Sequence, residues 1–125
     1  MKTIEFEGKK LHFDFSLGCI NDIYIKELGG SFDDLINIQS LQNDTSKLLD
    51  LTRDMLLSGH LYYLFLNDFD DEAELLLSKL KSTRMKAMKW LEVAKIENVI
   101  VWIAETLMPS DVEQPNIPNN SKKKK

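Results

Sequence analysis

The sequence predicts an α+β chain that is predominantly α-helical: an N-terminal β-hairpin packed on a bundle of four to five helices, followed by a disordered C-terminal tail. Three observations carry this. Apolar residues alternate with polar ones over residues 3–15, they recur at helical spacing from Leu17 to Met108, and the composition shifts abruptly at Pro109.

Ile4 and Phe6 alternate with Thr3, Glu5 and Glu7, and Leu11, Phe13 and Phe15 alternate with Lys10, His12 and Asp14. Such alternation marks strands with one buried face. Glu7-Gly8 lies between them, and glycine accepts the positive φ of a tight hairpin turn. A two-residue turn pairs Phe6 with Lys9, Glu5 with Lys10 and Ile4 with Leu11. It sets Ile4, Phe6, Leu11 and Phe13 on one face, and a favourable Glu5–Lys10 pair on the other. An isolated hairpin is marginal, so it must lie on something. The first helix follows at once: Ser16 is its N-cap, Leu17, Ile20, Ile23, Tyr24 and Leu28 form its apolar stripe, and Gly29-Gly30 stops it.

Ser31 caps a short second helix with Asp33 and Asp34 in its first turn, where the helix dipole favours acids. Phe32, Leu35, Ile36 and Ile38 give it an apolar side. Asp44, Thr45 and Ser46 all suit the cap of a third helix. Its apolar residues cover both faces by Leu61–Leu66, which makes it central; Gly59 kinks or splits it. Asp70 or Asp71 caps a fourth helix ending near Lys81. Ser82 or Thr83 caps a long last helix that runs unbroken to Met108. From Pro109 three prolines, three asparagines and four lysines leave too little apolar surface for a core. The domain is therefore 1–108, and 109–125 is a disordered tail or linker.

The 125 residues suit one domain, and a chain of this size buries roughly two-thirds of its unfolded surface. A single cysteine, Cys19, leaves no internal disulfide and suits a reducing compartment. No apolar run approaches the ~18 residues of a membrane span, and the start lacks the apolar stretch of a signal peptide. Net charge is −4, so no general attraction to nucleic acid is expected. The basic stretch Lys79–Lys95 reads as a solvated helix face, because the aromatic interleaving of a nucleic-acid surface is missing.

No catalytic motif stands out. Cys19, His60 and an aspartate could be drawn together, yet a cysteine nucleophile needs a base held beside it, and Cys19 reads better as a half-buried thiol. His12 reads as a solvent-side strand residue. Asp68, Asp70, Asp71 and Glu72 lack the glycine and terminal glutamate of a calcium loop and read as a solvated helix start. No metal, cofactor or enzyme activity is expected. Apolar residues are plentiful between Leu61 and Leu66 and between Val99 and Leu107. A protein interface would absorb the surplus, and Leu61, Leu64, Phe65, Ile100, Ile103 and Leu107 are its candidate residues.

The opening Ile4-Glu5-Phe6-Glu7-Gly8-Lys9-Lys10-Leu11-His12-Phe13 resembles the hairpin of the tail assembly chaperones of long-tailed, siphovirus-type bacteriophages. The likeness continues through Leu17, Ile20 and Leu28, then Glu27-Leu28-Gly29-Gly30-Ser31 and the acidic helix start Phe32-Asp33-Asp34. It spans most of the chain and is densest over 2–36. The resemblance implies a non-catalytic protein of the host bacterial cytoplasm, absent from the mature virion. It would keep the tape measure protein soluble and reach the tail tube protein through a longer, frameshifted form. Self-association is expected, and neither nucleic acid nor membrane is a partner. Lys122–Lys125 fits the translated trace of an A-rich slippery stretch, and equally a basic solubilising tail. Two other readings use the same residues: a small cytoplasmic helical adaptor for one protein partner, and a nucleic-acid-binding regulator acting through Lys79–Lys95.

Overall fold

Strands β1 (Lys2–Phe6) and β2 (Lys9–Phe13) pair antiparallel with Phe6 opposite Lys9, Glu5 opposite Lys10 and Ile4 opposite Leu11. The structure, a computed structural model, describes residues 2–108; the expected tail from Pro109 and its lysine run lie outside them. Glu7 and Gly8 both have positive φ, 52° and 79°, as the tightest hairpin turns require. The inward face carries Ile4 and Phe13, both buried, with Phe6 and Leu11 half-buried on the core.

The segment after the hairpin departs from the regular helix its stripe predicts. Ser16 caps it as expected, its Oγ accepting from the Cys19 amide at 3.2 Å. Residues Cys19–Ile25 then form a π-helix, seen in i→i+5 bonds such as Leu28 N–H to the Ile23 carbonyl. The wider turn directs Cys19, Ile20, Ile23 and Tyr24 inward and leaves Leu17 66% exposed, which removes Leu17 from the core. Gly29, at φ +76°, ends the segment.

Ser31 caps α1 (Phe32–Ile36) through the Asp34 amide; Leu35 is buried, whereas Phe32 and Ile36 face outward. A 3₁₀ stretch, Ile38–Asn43, inserts Ile38 and Leu41 into the core. Asp44 caps α2 (Thr45–Leu66), accepting from the Lys47 amide at 3.1 Å. This helix is unbroken and about 33 Å long at 1.5 Å per residue. It is central, as its apolar content suggests, but the stretch enclosed on all sides is Met55–Leu61, and Leu66 is exposed again. Gly59 neither kinks nor splits it. A Cβ there would lie 2.9 Å from the Phe15 ring and 3.3 Å from Phe13 Cβ, and the Asp14 amide donates to the Gly59 carbonyl at 3.0 Å. Glycine is present because β2 docks onto the helix backbone at this point.

Helix α3 (Asp70–Ser78) starts after Phe69; Asp70, Asp71 and Glu72 occupy its first turn and do not cap it. Helix α4 (Leu80–Ala94) follows after Lys79. Thr83, expected as a cap, lies inside α4 and donates to the Leu76 carbonyl across the junction at 2.7 Å. The long last helix is in fact two. Lys95 takes φ +76°, and α5 (Ile96–Leu107) turns back to bury Val99 and Ile103 against α2 and α4. The Asn98 side chain donates to the Ala94 carbonyl at 2.9 Å, replacing a bond that the break removes. One ionic junction pins three segments together. Asp54 of α2 accepts a two-pronged contact from Arg84 of α4, both arms at 3.2 Å, and Arg84 also donates to the Leu28 carbonyl at 3.0 Å.

Candidate protein-binding surface

The six residues expected at an interface divide between the inside of the chain and its edge. Leu61, Leu64 and Ile103 are buried inside the chain, and Phe65, Ile100 and Leu107 are half-buried against the same core. For Ile103 the reason is the turn at Lys95. It brings α5 back onto α2 and α4, where Val99 and Ile103 are buried, while α2 also packs against β2 and α4. Leu61, Leu64 and Ile103 are corrected from surface to core.

The residues suggested for chemistry are likewise spent on packing. Cys19 is fully buried, and burial pushes its thiol up to about 12, with a Ser16 bond opposing and Asp14 adding to the rise. A thiol so raised is a poor nucleophile at neutral pH. His60, also buried, hydrogen-bonds the His12 carbonyl through Nδ1 at 2.9 Å; a carbonyl only accepts, so Nδ1 carries the proton. Burial holds this imidazole below its ordinary value, while the His12 bond and the Glu72 charge oppose the fall. His12 itself is half-buried, its ring stacked on Tyr63 at 4.7 Å, which corrects its expected place on the solvent side. Among the described residues no group of three or more His, Cys, Asp or Glu side chains could hold a metal, and no helix is long and apolar enough to cross a membrane.

Large apolar residues reach solvent at several places, among them Leu17, Phe32, Ile36 and Leu66, and along α4 exposed apolar surface lines a concave groove. Two hollows of about 600 and 470 Å³ meet at Met88 and Glu92 and make one groove. Its floor comprises Met85 and Met88, with Leu49 from α2, Leu91 beneath and Ile96 from the start of α5. Met85 is 66% exposed. Methionine is flexible and polarizable, and accommodates varied apolar shapes.

The rim is charged: Glu92 borders both hollows and Glu97 the second, and the cations fall into two sets. Arg53 and Arg84 are held by Asp54, at 2.9 and 3.2 Å. Lys81, Lys89 and Lys95 have no acidic partner in the ion pairs of the described residues. Sequence reasoning assigned the basic stretch to solvent and passed over this groove. The available signal was Met85 and Met88, three residues apart within a run of lysines, which is one face of a helix.

Hairpin, helices and groove define an α-rich domain with an open, cation-rimmed apolar channel along α4. Comparison with protein-family models, with curated proteins and with solved structures found no match. The likeness to tail assembly chaperones thus rests on the residues quoted for it.

Proposed function

We propose that this chain is a non-catalytic tail assembly chaperone of a long-tailed bacteriophage. It binds the tape measure protein and keeps it soluble in the host cytoplasm during tail assembly, and it is left out of the finished particle. The observation that carries the reading is the α4 groove, an apolar channel open to solvent and floored by adaptable methionines. A protein that holds exposed apolar helices in solution needs such a channel together with a charged outer surface. Self-association and a longer form reaching the tail tube protein belong to the same reading, the latter through residues 109–125 as a tether.

Co-expression with the tape measure protein of the same phage tests it. Soluble yield of that protein should rise, and a chain ending at Met108 should keep most of the effect. Recoding Lys122–Lys125 with AAG codons should abolish a C-terminally extended product. A tape measure protein that stays insoluble beside the full-length chain would overturn the chaperone reading, and absence of the extended product with native codons would overturn the frameshift. Sedimentation showing a monomer at every concentration would remove self-association alone.

A further inference from the structure

We infer that the α4 groove is selective for an amphipathic helix of another protein whose apolar stripe is flanked by acidic residues. This rests on the groove being the client site and names the chemistry of what it takes.

The argument begins with charge. The chain as a whole is acidic, at −4. Helix α4 runs against that balance, with Lys81, Arg84, Lys86 and Lys89 opposed only by Glu92. Arg84 is neutralised within the fold by Asp54. Lys81 and Lys89 have no such acid and stand on the groove's edge. Lys95 stands at the second hollow past the end of α4 together with Glu92 and Glu97, so the cationic excess belongs to the first hollow. At the first hollow, Lys81 and Lys89 beside a methionine floor reward an occupant whose apolar stripe is bordered by acidic residues, and they penalise a basic one.

Length then narrows the occupant. The groove follows α4, whose 15 residues span about 22 Å at 1.5 Å per residue. A helix of four or so turns fills that distance and presents anchors at i, i+3 or i+4, and i+7. The obvious acidic helix in a second copy of this chain is α3. It has 9 residues, about 13 Å, and its Ala73 is buried while Leu76 and Leu77 pack on its own core. Only Leu75 is left as a large exposed apolar residue on α3, too little for the channel. Nucleic acid fits less well again. No aromatic ring lines either hollow, so bases have nothing to stack on, and a phosphate backbone has no use for a methionine floor.

The test uses the full-length protein and three fluorescent probes: an 18-residue helical peptide with leucines at 3.6-residue spacing and glutamates elsewhere, its lysine counterpart, and a 20-base-pair DNA duplex. Anisotropy at low salt should show the glutamate peptide binding at least about tenfold tighter than the lysine peptide, since like charges across an interface cost more than that. Lys81→Glu with Lys89→Glu should reverse the order. Met85→Glu should weaken the glutamate peptide by about tenfold or more. All three positions are exposed, and circular dichroism confirms that the variants fold. Equal binding of the two peptides, or binding indifferent to these changes, overturns the inference, as does a preference for the duplex. So does self-association of the protein alone that Met85→Glu abolishes, because a second copy would then be the occupant. The two proposals fail separately. If the full-length chain solubilises the tape measure protein and Met85→Glu does so equally well, the groove assignment fails and the chaperone reading stands. If the peptide results hold but the tape measure protein stays insoluble, the reverse is true.

Discussion

Where the hairpin meets α2 and where α4 meets solvent, the surfaces are both apolar, yet one is closed and the other open. At the first, Phe13 is fully buried between Trp90 and Phe15, with ring centroids 6.3 and 6.1 Å away. Trp90 in turn meets His60 edge-on at 5.2 Å. Two polar bonds fix the contact, Asp14 N–H to the Gly59 carbonyl and His60 to the His12 carbonyl. At the second, Met85 and Met88 have no ring beside them in the groove, and the nearby lysines are unpaired. The difference teaches that apolar content alone does not assign a surface to core or interface. Stiff aromatic shapes pinned by directional bonds specify one neighbour, whereas flexible thioethers ringed by free charge leave the neighbour open.

Four substitutions or conditions break or sharpen this contrast. The largest effect is expected from Ile103→Asp. It places a charge where α5 is buried, and urea unfolding should show a loss above about 4 kcal/mol, or no folded protein at all. A folded variant of near-normal stability would mean that Ile103 faces outward. Phe13→Ala should cost about 3–5 kcal/mol, the usual range for a buried phenylalanine; a loss under about 0.5 kcal/mol would show the hairpin to be a loose arm.

Acid should act next, through His60. In the unfolded chain this imidazole takes its proton near 6.5, while in the folded chain burial keeps it neutral to lower pH. The charges of Lys9 and His12 lower it further and Glu72 opposes them. The unfolded state therefore binds the proton first. Its contribution to stability is complete above about 6.5 and is lost as pH falls below that value. Urea midpoints between pH 7.5 and 5 should fall for the native chain and fall less for His60→Gln; parallel slopes would exclude His60 as the cause. Smallest is Met85→Ala, expected to change stability by less than about 0.5 kcal/mol because the side chain is largely exposed. A large loss would make the groove part of the core.

Much of the N-terminal half was legible. The register of the hairpin could be read residue by residue, because alternation and the Glu7-Gly8 turn admit one pairing that hides the phenylalanines. Ser16 and Ser31 were readable as caps, and Asp44 as one of three candidates with Thr45 and Ser46, since each offers an oxygen just ahead of a helical pattern. The π-helix was not legible, because the usual spacing rule assumes 3.6 residues per turn and misplaces Leu17. The turn at Lys95 was hidden for another reason: neither glycine nor proline marks it, and the run of apolar residues crosses it without a gap. Its faint signs are Glu97 in a new first turn and Asn98, whose amide reaches back to Ala94. Missing that turn misplaced Ile103, since a helix running straight on from α4 would not bring it back onto α2.

The bond between His12 and His60 joins residues 48 apart in the chain, and Thr106 Oγ1 reaches the Phe15 carbonyl across 91. On a ribosome adding roughly 5–20 residues per second, the first partner trails the strand by about 2–10 s. The last arrives after about 5–18 s. During that interval the newly made hairpin has its phenylalanines uncovered, long after a hairpin forms in microseconds. The first element to be synthesised is among the last to be protected, and slower translation of the middle of the gene would lengthen its exposure to sticky neighbours in the cell.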